Sequence, residues 1–268
     1  MMRKIIRYGW LIVFSVTCLA SCGSDDNDDN NSVTRPVITV NGKYLTRINS
    51  SELEYNAQGQ LVKVKSKDAT SSSADFGYSY EAKRIIMTPY DMIYYLDGGR
   101  ISECRYTMLT SLDENALPVD VKETYEYDRN GYMVKETRPG YDFTEDAEPV
   151  ITIIYEWQDG NIQRITRTES PGDYAEETTF SYTSYANNIP DVSQGLIGNY
   201  LGWQGYFGKR CKNLPASETA TTYSNGHLVE SITYDYDYAF EDGVVTRVTA
   251  KWNYKGTPSI KVSELVWY

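Results

Sequence analysis

A short phrase recurs six times along the chain and constrains its fold more than any other feature of the sequence. Each copy has an aromatic residue, a turn that ends in glycine, and an aliphatic residue two places after that glycine. The copies are "YNAQGQL" from Tyr55, "YLDGGRI" from Tyr95, "YDRNGYM" from Tyr127, "WQDGNI" from Trp157, "YSNGHL" from Tyr223 and "FEDGVV" from Phe240. Strand-forming residues on both sides of a glycine turn indicate a β-hairpin, so the phrase predicts a series of antiparallel hairpins.

The copies differ in the length of their turn. Asp-Gly and Asn-Gly pairs in the last three copies fit two-residue type I′ turns, and the first three copies fit three-residue loops with glycine as a bulge residue. Both forms predict one ring facing one aliphatic residue, which contributes about 0.2 to 1 kcal/mol and fixes the register of the strands. The predicted pairs are Tyr55 with Leu61, Tyr95 with Ile101, Tyr127 with Met133, Trp157 with Ile162, Tyr223 with Leu228, and Phe240 with Val245.

The segments beside the turns alternate as half-buried strands do. In "ITYDYDYAF", the tyrosines at 234, 236 and 238 fall on one side, and Asp235 and Asp237 fall on the other. A further apolar residue follows the glycine by five places in three copies, where strict alternation would turn it outward. We therefore expect either a β-bulge or strong coiling at this point. The residues concerned are Val64, Ile165 and Val248.

Longer connections rich in Ser, Asp, Pro and Gly separate the hairpins. Tight turns at one rim and long loops at the other predict an all-β, antiparallel up-and-down meander of about 12 or more strands, strongly curled or closed like a barrel. One stretch, residues 188–215, breaks the pattern with five glycines among apolar residues. Asp191 could cap a short helix there. We expect one short helix or an irregular plug near residues 191–208.

The first residues predict export. Arg3, Lys4 and Arg7 precede an apolar run at 10–18 that is too short to span a bilayer as a mature helix. Residues 19–22, "LASC", resemble the lipobox of bacterial lipoproteins, in which a cysteine receives the lipid. We therefore expect a lipoprotein signal peptide at 1–21 and lipid attachment at Cys22. The alternative is an ordinary cleaved signal with a chance cysteine.

An acidic run, "GSDDNDDNNS", follows the predicted lipid site and has nothing to bury. We expect a disordered tether at 22–35 and a single β-meander domain at 36–268. The run is similar to the acidic surface-export signal of Bacteroidetes-type lipoproteins, which implies an outer-membrane protein that faces the cell exterior. A plain solvated linker is the alternative, and so the inward or outward membrane face stays open at this point.

The charge of the mature chain argues against nucleic acid as a partner. Cleavage removes three basic residues and no acidic one, so the net charge changes from −11 to −14. The expected membrane contact is therefore the lipid anchor. Cleavage and lipidation leave Cys104 and Cys211. These two cysteines could form a disulfide or remain two separate buried thiols, and the sequence does not decide between the two.

Catalytic signals are weak in this sequence. The only histidine, His227, follows an Asn-Gly turn, and no Ser or Cys stands in a recognisable nucleophile context. Asp235 and Asp237 could contribute to a calcium site, although a solvated strand face is the simpler interpretation. Sequence predicts no cofactor and no metal.

Aromatic residues in the irregular segment give the best prediction of a binding site. Tyr200, Trp203 and Tyr206 lie close together there, and such rings stack on sugars and anchor protein interfaces. Packing in the core is the alternative use of these rings.

The lipobox, the Tyr-rich hairpin phrases and the late "GKRCKNLP" at 208–215 together resemble a family of uncharacterised Bacteroidetes lipoproteins, described as a domain of unknown function with a porin-like fold. The resemblance covers most of the chain after the tether and implies a β architecture without a known activity. Tyrosine along whole strands argues against a lipid-facing barrel, whose outer band favours Leu, Val and Ile.

These features predict a surface-exposed lipoprotein that acts as a non-enzymatic binding module for a glycan or a protein. Two alternatives remain open at this point. One is a glycan-processing hydrolase that uses two carboxylates, and the other is a structural component of the cell envelope.

Overall fold

Seventeen β-strands and one short helix form within the residues that the structure, a computed structural model, describes: 39–67, 75–109, 118–140, 149–190 and 200–268. The predicted signal peptide, Cys22 and the tether at 22–35 lie outside these residues. The first nine strands are β1 (Thr39–Val40), β2 (Lys43–Ile48), β3 (Ser51–Tyr55), β4 (Leu61–Ser66), β5 (Phe76–Glu81), β6 (Arg84–Thr88), β7 (Met92–Asp97), β8 (Arg100–Leu109) and β9 (Pro118–Tyr127). The others are β10 (Met133–Pro139), β11 (Val150–Gln158), β12 (Asn161–Ser170), β13 (Tyr174–Ala186), β14 (Asn213–Ser224), β15 (His227–Glu241), β16 (Val244–Tyr254) and β17 (Thr257–Trp267), with α1 (Tyr200–Trp203) between β13 and β14.

Each strand from β2 to β17 pairs antiparallel with its neighbours in the sequence, and β17 returns to pair with β2. Leu265 faces Ile48 and Trp267 faces Leu45 where the last strand meets the first. The sixteen strands therefore close into an up-and-down barrel, and β1 adds a short hairpin on β2. The predicted meander is confirmed in its closed form, which leaves no exposed sheet edge around the ring.

The register of the repeated phrase is confirmed in five of its six copies. The prediction is wrong at the second copy, where Leu96 rather than Tyr95 faces Ile101. Gly98 and Gly99 both have positive φ, at 52° and 73°, so they form a two-residue turn directly between Asp97 and Arg100. The copy at Tyr223 also differs, because its turn lies at the opposite end of the barrel from the other five.

A β-bulge explains the apolar residue five places after the glycine. In the first hairpin Tyr55 faces Leu61 while Glu54 faces Lys63, so Val62 is the extra residue. The same one-residue shift occurs after each phrase turn. The bulge reverses the alternation once, and Leu61 and Val64 are consequently both buried inside the barrel.

The bulges also explain the aromatic residue in three copies of the phrase, Tyr55, Tyr127 and Trp157. An aromatic side chain on each of seven strands donates a hydrogen bond to a carbonyl that immediately precedes a bulged residue on the strand before it, at distances of 2.6 to 2.9 Å. The donors and their carbonyls are Tyr55 to Leu45, Tyr80 to Leu61, Tyr127 to Ile101, Trp157 to Met133, Tyr182 to Ile162, Tyr238 to Pro215 and Trp267 to Val245. On β7 the equivalent position is occupied by Leu96, whose side chain has no hydrogen-bond donor. A belt of side-chain bonds thus ties neighbouring hairpins together where the ladder is interrupted.

The described part of the connection from β13 to β14, residues 187–190 and 200–212, closes one end of the barrel, and we call this end the plug rim and the other the far rim. The phrase turns 56–60, 98–99, 128–132 and 159–160 lie at the plug rim. Hydrogen bonds attach the connection to them, among them Gln204 Nε2 to Gly59 O, Ile101 N to Tyr206 O, Lys209 N to Gly131 O, and Lys212 N to Gly160 O. The predicted plug is confirmed for residues 200–208, and residues 191–199 with Asp191 lie outside the described part. No described helix has the length and apolar character needed to cross a bilayer.

The inner and outer faces of the barrel have opposite chemistry. Aliphatic and aromatic side chains from the strands and the plug form the core inside. Ion pairs connect neighbouring strands on the outside, as between Lys135 and Glu126 at 2.8 Å and between Arg164 and Glu156 at 2.8 Å.

Candidate functional site

Charged side chains interrupt the apolar interior on one side of the barrel. We call this set the luminal polar band, and it contains Glu123, Glu136, Arg138, Arg167, Glu176 and Glu218. Buried charges destabilise a fold unless they are paired and hydrogen-bonded. The band is therefore the part of the interior that packing alone does not explain, and we take it as the candidate site.

Glu136 occupies a repeat position that other hairpins fill with an aliphatic residue. It follows Gly131 by five places, as Val64 follows Gly59 and Ile165 follows Gly160. The bulge turns this position inward, so the carboxylate is carried into the barrel. Sequence reasoning missed Glu136, although the same five-residue rule applied to "GYMVKE" would have found it.

Glu123 lies on β9 and faces Cys104 on β8. Its carboxylate accepts hydrogen bonds from the Tyr106 hydroxyl at 3.0 Å and from the Tyr125 hydroxyl at 2.6 Å. Burial, with a further contribution from Glu123, raises the pKa of the Cys104 thiol well above its usual range, which makes the thiol unreactive. Cys104 and Cys211 are two separate buried thiols in this structure.

Glu136 accepts a hydrogen bond from the Tyr155 hydroxyl at 3.1 Å, and its carboxylate lies 3.5 Å from the Arg138 guanidinium. Burial raises the pKa of the Glu136 carboxyl above its ordinary value. Arg138 opposes this shift, and Glu123 adds to it. The side chain of Glu136 is only 5% exposed and that of Arg138 is 10% exposed, so this part of the band is closed to solvent.

The band continues on β12 and β13 with a more accessible group. The Arg167 guanidinium lies over the Tyr174 ring at 5.3 Å and 3.7 Å from the Glu176 carboxylate. Tyr174 donates its hydroxyl to Glu176 at 3.1 Å. The side chains of Arg167 and Glu176 are 19% and 17% exposed, so water reaches this group more readily than it reaches Glu136.

Tyr234 on β15 joins this accessible group to two further strands. Glu218 faces it from β14, and Trp252 faces it from β16 with the two ring centroids 5.5 Å apart. Burial raises the pKa of the Tyr234 hydroxyl to about 12, and the carboxylates of Glu218, Glu230 and Glu176 add to the shift.

The aromatic residues predicted as a binding site lie together inside the plug. Tyr200, Trp203 and Tyr206 are 1 to 3% exposed. Their rings pack against Phe76, Tyr55 and Tyr80, with centroid distances of 5.9, 6.5 and 5.8 Å. In this structure these rings belong to the core, and they present no face to solvent.

Asp235 and Asp237 lie on the outer face of β15, away from the plug. Asp237 forms an ion pair with Lys251, and Asp235 faces the same lysine across the ladder. His227 is an exposed residue at the turn between β14 and β15. Among the described residues, no group of three or more His, Cys, Asp or Glu side chains is arranged to hold a metal ion.

The "GKRCKNLP" stretch has structural contacts along most of its length. Gly208 has φ of +89°, and a Cβ there would lie 2.4 Å from the carbonyl oxygen of Gly131. The Lys209 ammonium lies over the Tyr132 ring at 5.4 Å, and Asn213 exchanges hydrogen bonds with Asn161 at 2.9 and 3.1 Å. This stretch therefore fastens the plug to the hairpins, and nothing in its contacts points to catalysis.

Comparisons with known proteins agree with this architecture. Residues 53–247 match the model of a family described as a domain of unknown function (DUF4595) with porin-like fold. The crystal structure of a porin-like protein from Bacteroides vulgatus has a TM-score of 0.63 at 13% identity, covering 84% of this chain and 99% of that chain. One from Bacteroides uniformis has a TM-score of 0.57 at 15% identity, covering 81% and 90%. No curated protein matches the chain. At these identities the likeness to solved structures shows the fold alone.

Proposed function

Since the chain belongs to this family of domains of unknown function with a porin-like fold, whose description gives an architecture and no activity, we propose a function from the chemistry of the barrel itself. The protein is a non-enzymatic binding module, held by lipid at Cys22 on the outer membrane and facing the cell exterior. Its ligand is a glycan, which reaches the accessible group of the luminal polar band from the far rim.

Two features of the sequence and one of the barrel support the proposed location on the outer membrane. The "LASC" at 19–22 places a cysteine where a lipobox has it, and the acidic run after Cys22 is long enough to separate a folded domain from the membrane. The outer face carries cross-strand ion pairs such as Lys135 with Glu126, which a lipid environment would disfavour strongly. A barrel in water on a lipid tether fits all three.

The observation that carries the proposed binding is the group formed by Arg167, Tyr174 and Glu176. A guanidinium, a carboxylate and a tyrosine ring lie within contact of one another and are partly exposed inside a barrel whose core is mainly apolar. Binding sites for small molecules combine apolar walls with a few convergent polar groups, and an aromatic ring can stack on the apolar face of a sugar.

A screen of the chain on glycan arrays tests this function. A chain that begins at residue 36 is suitable, because all the strand pairings that close the barrel lie between β2 and β17. We expect specific retention of a glycan that Arg167→Ala abolishes and Arg164→Ala preserves. Arg164 is the matched control because it lies on the same strand and pairs with Glu156 on the outer face. Arrays that stay blank would reject a glycan ligand, and arrays of host-matrix proteins would then test the protein alternative.

The hydrolase alternative has one specific observation in its favour, the pair of luminal carboxylates on Glu123 and Glu136. Both are buried and bound by tyrosine hydroxyls, so a saccharide cannot reach them in this structure. Turnover of any glycan by the pure chain, abolished by Glu136→Gln, would favour the hydrolase over the binding module. The same assay with no turnover but retained binding would exclude it.

A further inference from the structure

The last strand of the barrel extends beyond the strand that it closes against. β17 pairs with β16 at every residue from Thr257 to Glu264, but β2 pairs only with residues 265–267. Asn49 ends the second ladder, because its backbone N–H donates to the Glu264 carbonyl and its side-chain oxygen accepts the Glu264 N–H, both at 2.8 Å. No other described strand pairs with this side of residues 257–263. These residues form a free sheet edge at the far rim, beyond the closed ring, and we call it the β17 edge.

Alternate residues direct their backbone groups to the β17 edge. The N–H and C=O of one strand residue point to the same side, and those of the next residue point to the other side. Glu264 bonds Asn49 on the side of the edge, and the ladder from 257 to 264 has no register shift. Val262, Ile260 and Pro258 therefore face the same side. Because proline has no N–H, the complete pairs of donor and acceptor at the edge are those of Ile260 and Val262.

The side chains along the β17 edge have a definite pattern. Ile260 and Val262 lie on the outer face of the sheet and are 65% and 48% exposed. Lys261 lies between them on the opposite face and is also exposed. Within the described residues Lys261 forms no ion pair. The edge therefore presents two apolar side chains on one face and one uncompensated positive charge on the other.

A second copy of this chain does not fit the β17 edge. Glu264 is already bonded and Pro258 has no N–H, so antiparallel self-pairing that uses both remaining residues must place Ile260 opposite Val262. That register puts the two copies of Lys261 directly opposite each other, and like charges at such a position destabilise the pair. The net charge of −11 adds repulsion between whole copies.

We propose that the β17 edge binds an extended segment of another protein, with apolar residues opposite Ile260 and Val262 and an acidic residue opposite Lys261. The segment adds one strand to the sheet and bonds the free N–H and C=O of both edge residues. Its carboxylate supplies the charge that Lys261 lacks, and its apolar side chains cover the two exposed ones. This site is separate from the luminal polar band, so the inference adds a protein partner and does not depend on glycan binding.

Fluorescence polarisation with labelled peptides tests the inference on the chain from residue 36. The probe is Thr-Thr-Val-Glu-Val-Thr-Thr, in which the valines match Ile260 and Val262 and the glutamate matches Lys261. One control peptide has Lys in place of Glu, and we expect it to bind about threefold more weakly. The other control is N-methylated at both valines, which removes the donors that pair with the edge, and it should bind about tenfold more weakly or not at all.

Variants of the chain separate backbone pairing from side-chain contact. Ile260→Pro removes an N–H that points away from β16, as Pro258 does at the preceding edge-facing position, so the ladder to β16 should remain. It should weaken binding of the Glu peptide about tenfold. Ile260→Ala keeps the N–H and should weaken binding only about threefold. Lys261→Glu should reverse the preference, so that the Lys peptide binds more tightly than the Glu peptide.

Each contrary result overturns the proposal. Binding that survives N-methylation would show that the edge is not the site, and a preference that Lys261→Glu does not reverse would exclude the charge match. Absence of peptide binding up to about 1 mM would reject strand addition. Concentration-dependent dimerisation that Ile260→Pro abolishes would identify a second copy as the partner. Because Lys261 is exposed, Lys261→Glu gives a clear result even if thermal unfolding shows that Ile260→Pro is unstable.

Discussion

Removing one hydroxyl from the belt of aromatic hydrogen bonds should measurably destabilise the barrel. In Tyr55→Phe the ring and its contact with Leu61 remain, but the donor to the Leu45 carbonyl at 2.9 Å is lost. Leu45 is fully buried, so water cannot replace the donor. A buried polar group left without a partner costs about 1 to 3 kcal/mol. For a domain of this size each kcal/mol lowers Tm by about 2 to 4 °C, so we expect a fall of roughly 2 to 12 °C.

Denaturant and thermal unfolding of the chain from residue 36 provide the assay, and Tyr185→Phe is the matched control. Tyr185 is 51% exposed, so loss of its hydroxyl should change the unfolding free energy by no more than about 0.5 kcal/mol. Tyr127→Phe removes a second belt bond on a distant strand, and its effect should add to that of Tyr55→Phe. If Tyr55→Phe is as stable as Tyr185→Phe, the belt does not stabilise the bulges and the explanation of the repeated phrase is wrong.

Two further predictions concern the band and the plug. Burial raises the pKa of the Glu136 carboxyl in the folded protein. Its contribution to the free energy of unfolding is therefore largest below the ordinary glutamate pKa and is lost as pH rises toward the folded pKa. Measured by unfolding at a series of pH values, the wild type should lose stability with rising pH relative to Glu136→Gln. Gly208→Ala should increase hydrogen exchange across residues 200–212, because its Cβ would clash with Gly131. Gly226→Ala, whose Cβ meets open space at a similar φ, should leave that exchange unchanged.

The hairpin phrase made most of the fold predictable from sequence. Aromatic and aliphatic residues at fixed distances from a glycine specify the register locally, and no distant information is needed to pair Trp157 with Ile162. The prediction of strand register was wrong at "YLDGGRI", because two adjacent glycines permit either turn length. Nothing else in the phrase distinguishes Tyr95 from Leu96 as the partner of Ile101. The sequence also did not decide between a β-bulge and strong coiling of the strand, since both turn the same residue inward.

The candidate site was predictable only where it follows the repeat. Glu136 could have been assigned to the interior from its distance to Gly131, and Glu123 from its alternation with Tyr125 and Tyr127. The accessible group could not be assembled in this way. Its members come from β12 to β16, and their meeting depends on how the barrel closes and on the segment that fills its plug rim.

The repeat also provides an argument that the luminal polar band is not needed for folding. Sister hairpins place Val64, Ile165 and Val248 where this hairpin has Glu136, so the barrel accepts an apolar residue at that position. Replacing buried ion pairs with apolar residues of similar volume is often neutral or stabilising. Packing therefore gives no reason for several carboxylates and two arginines to lie inside a barrel of apolar walls. A polar ligand that enters from the far rim does give one.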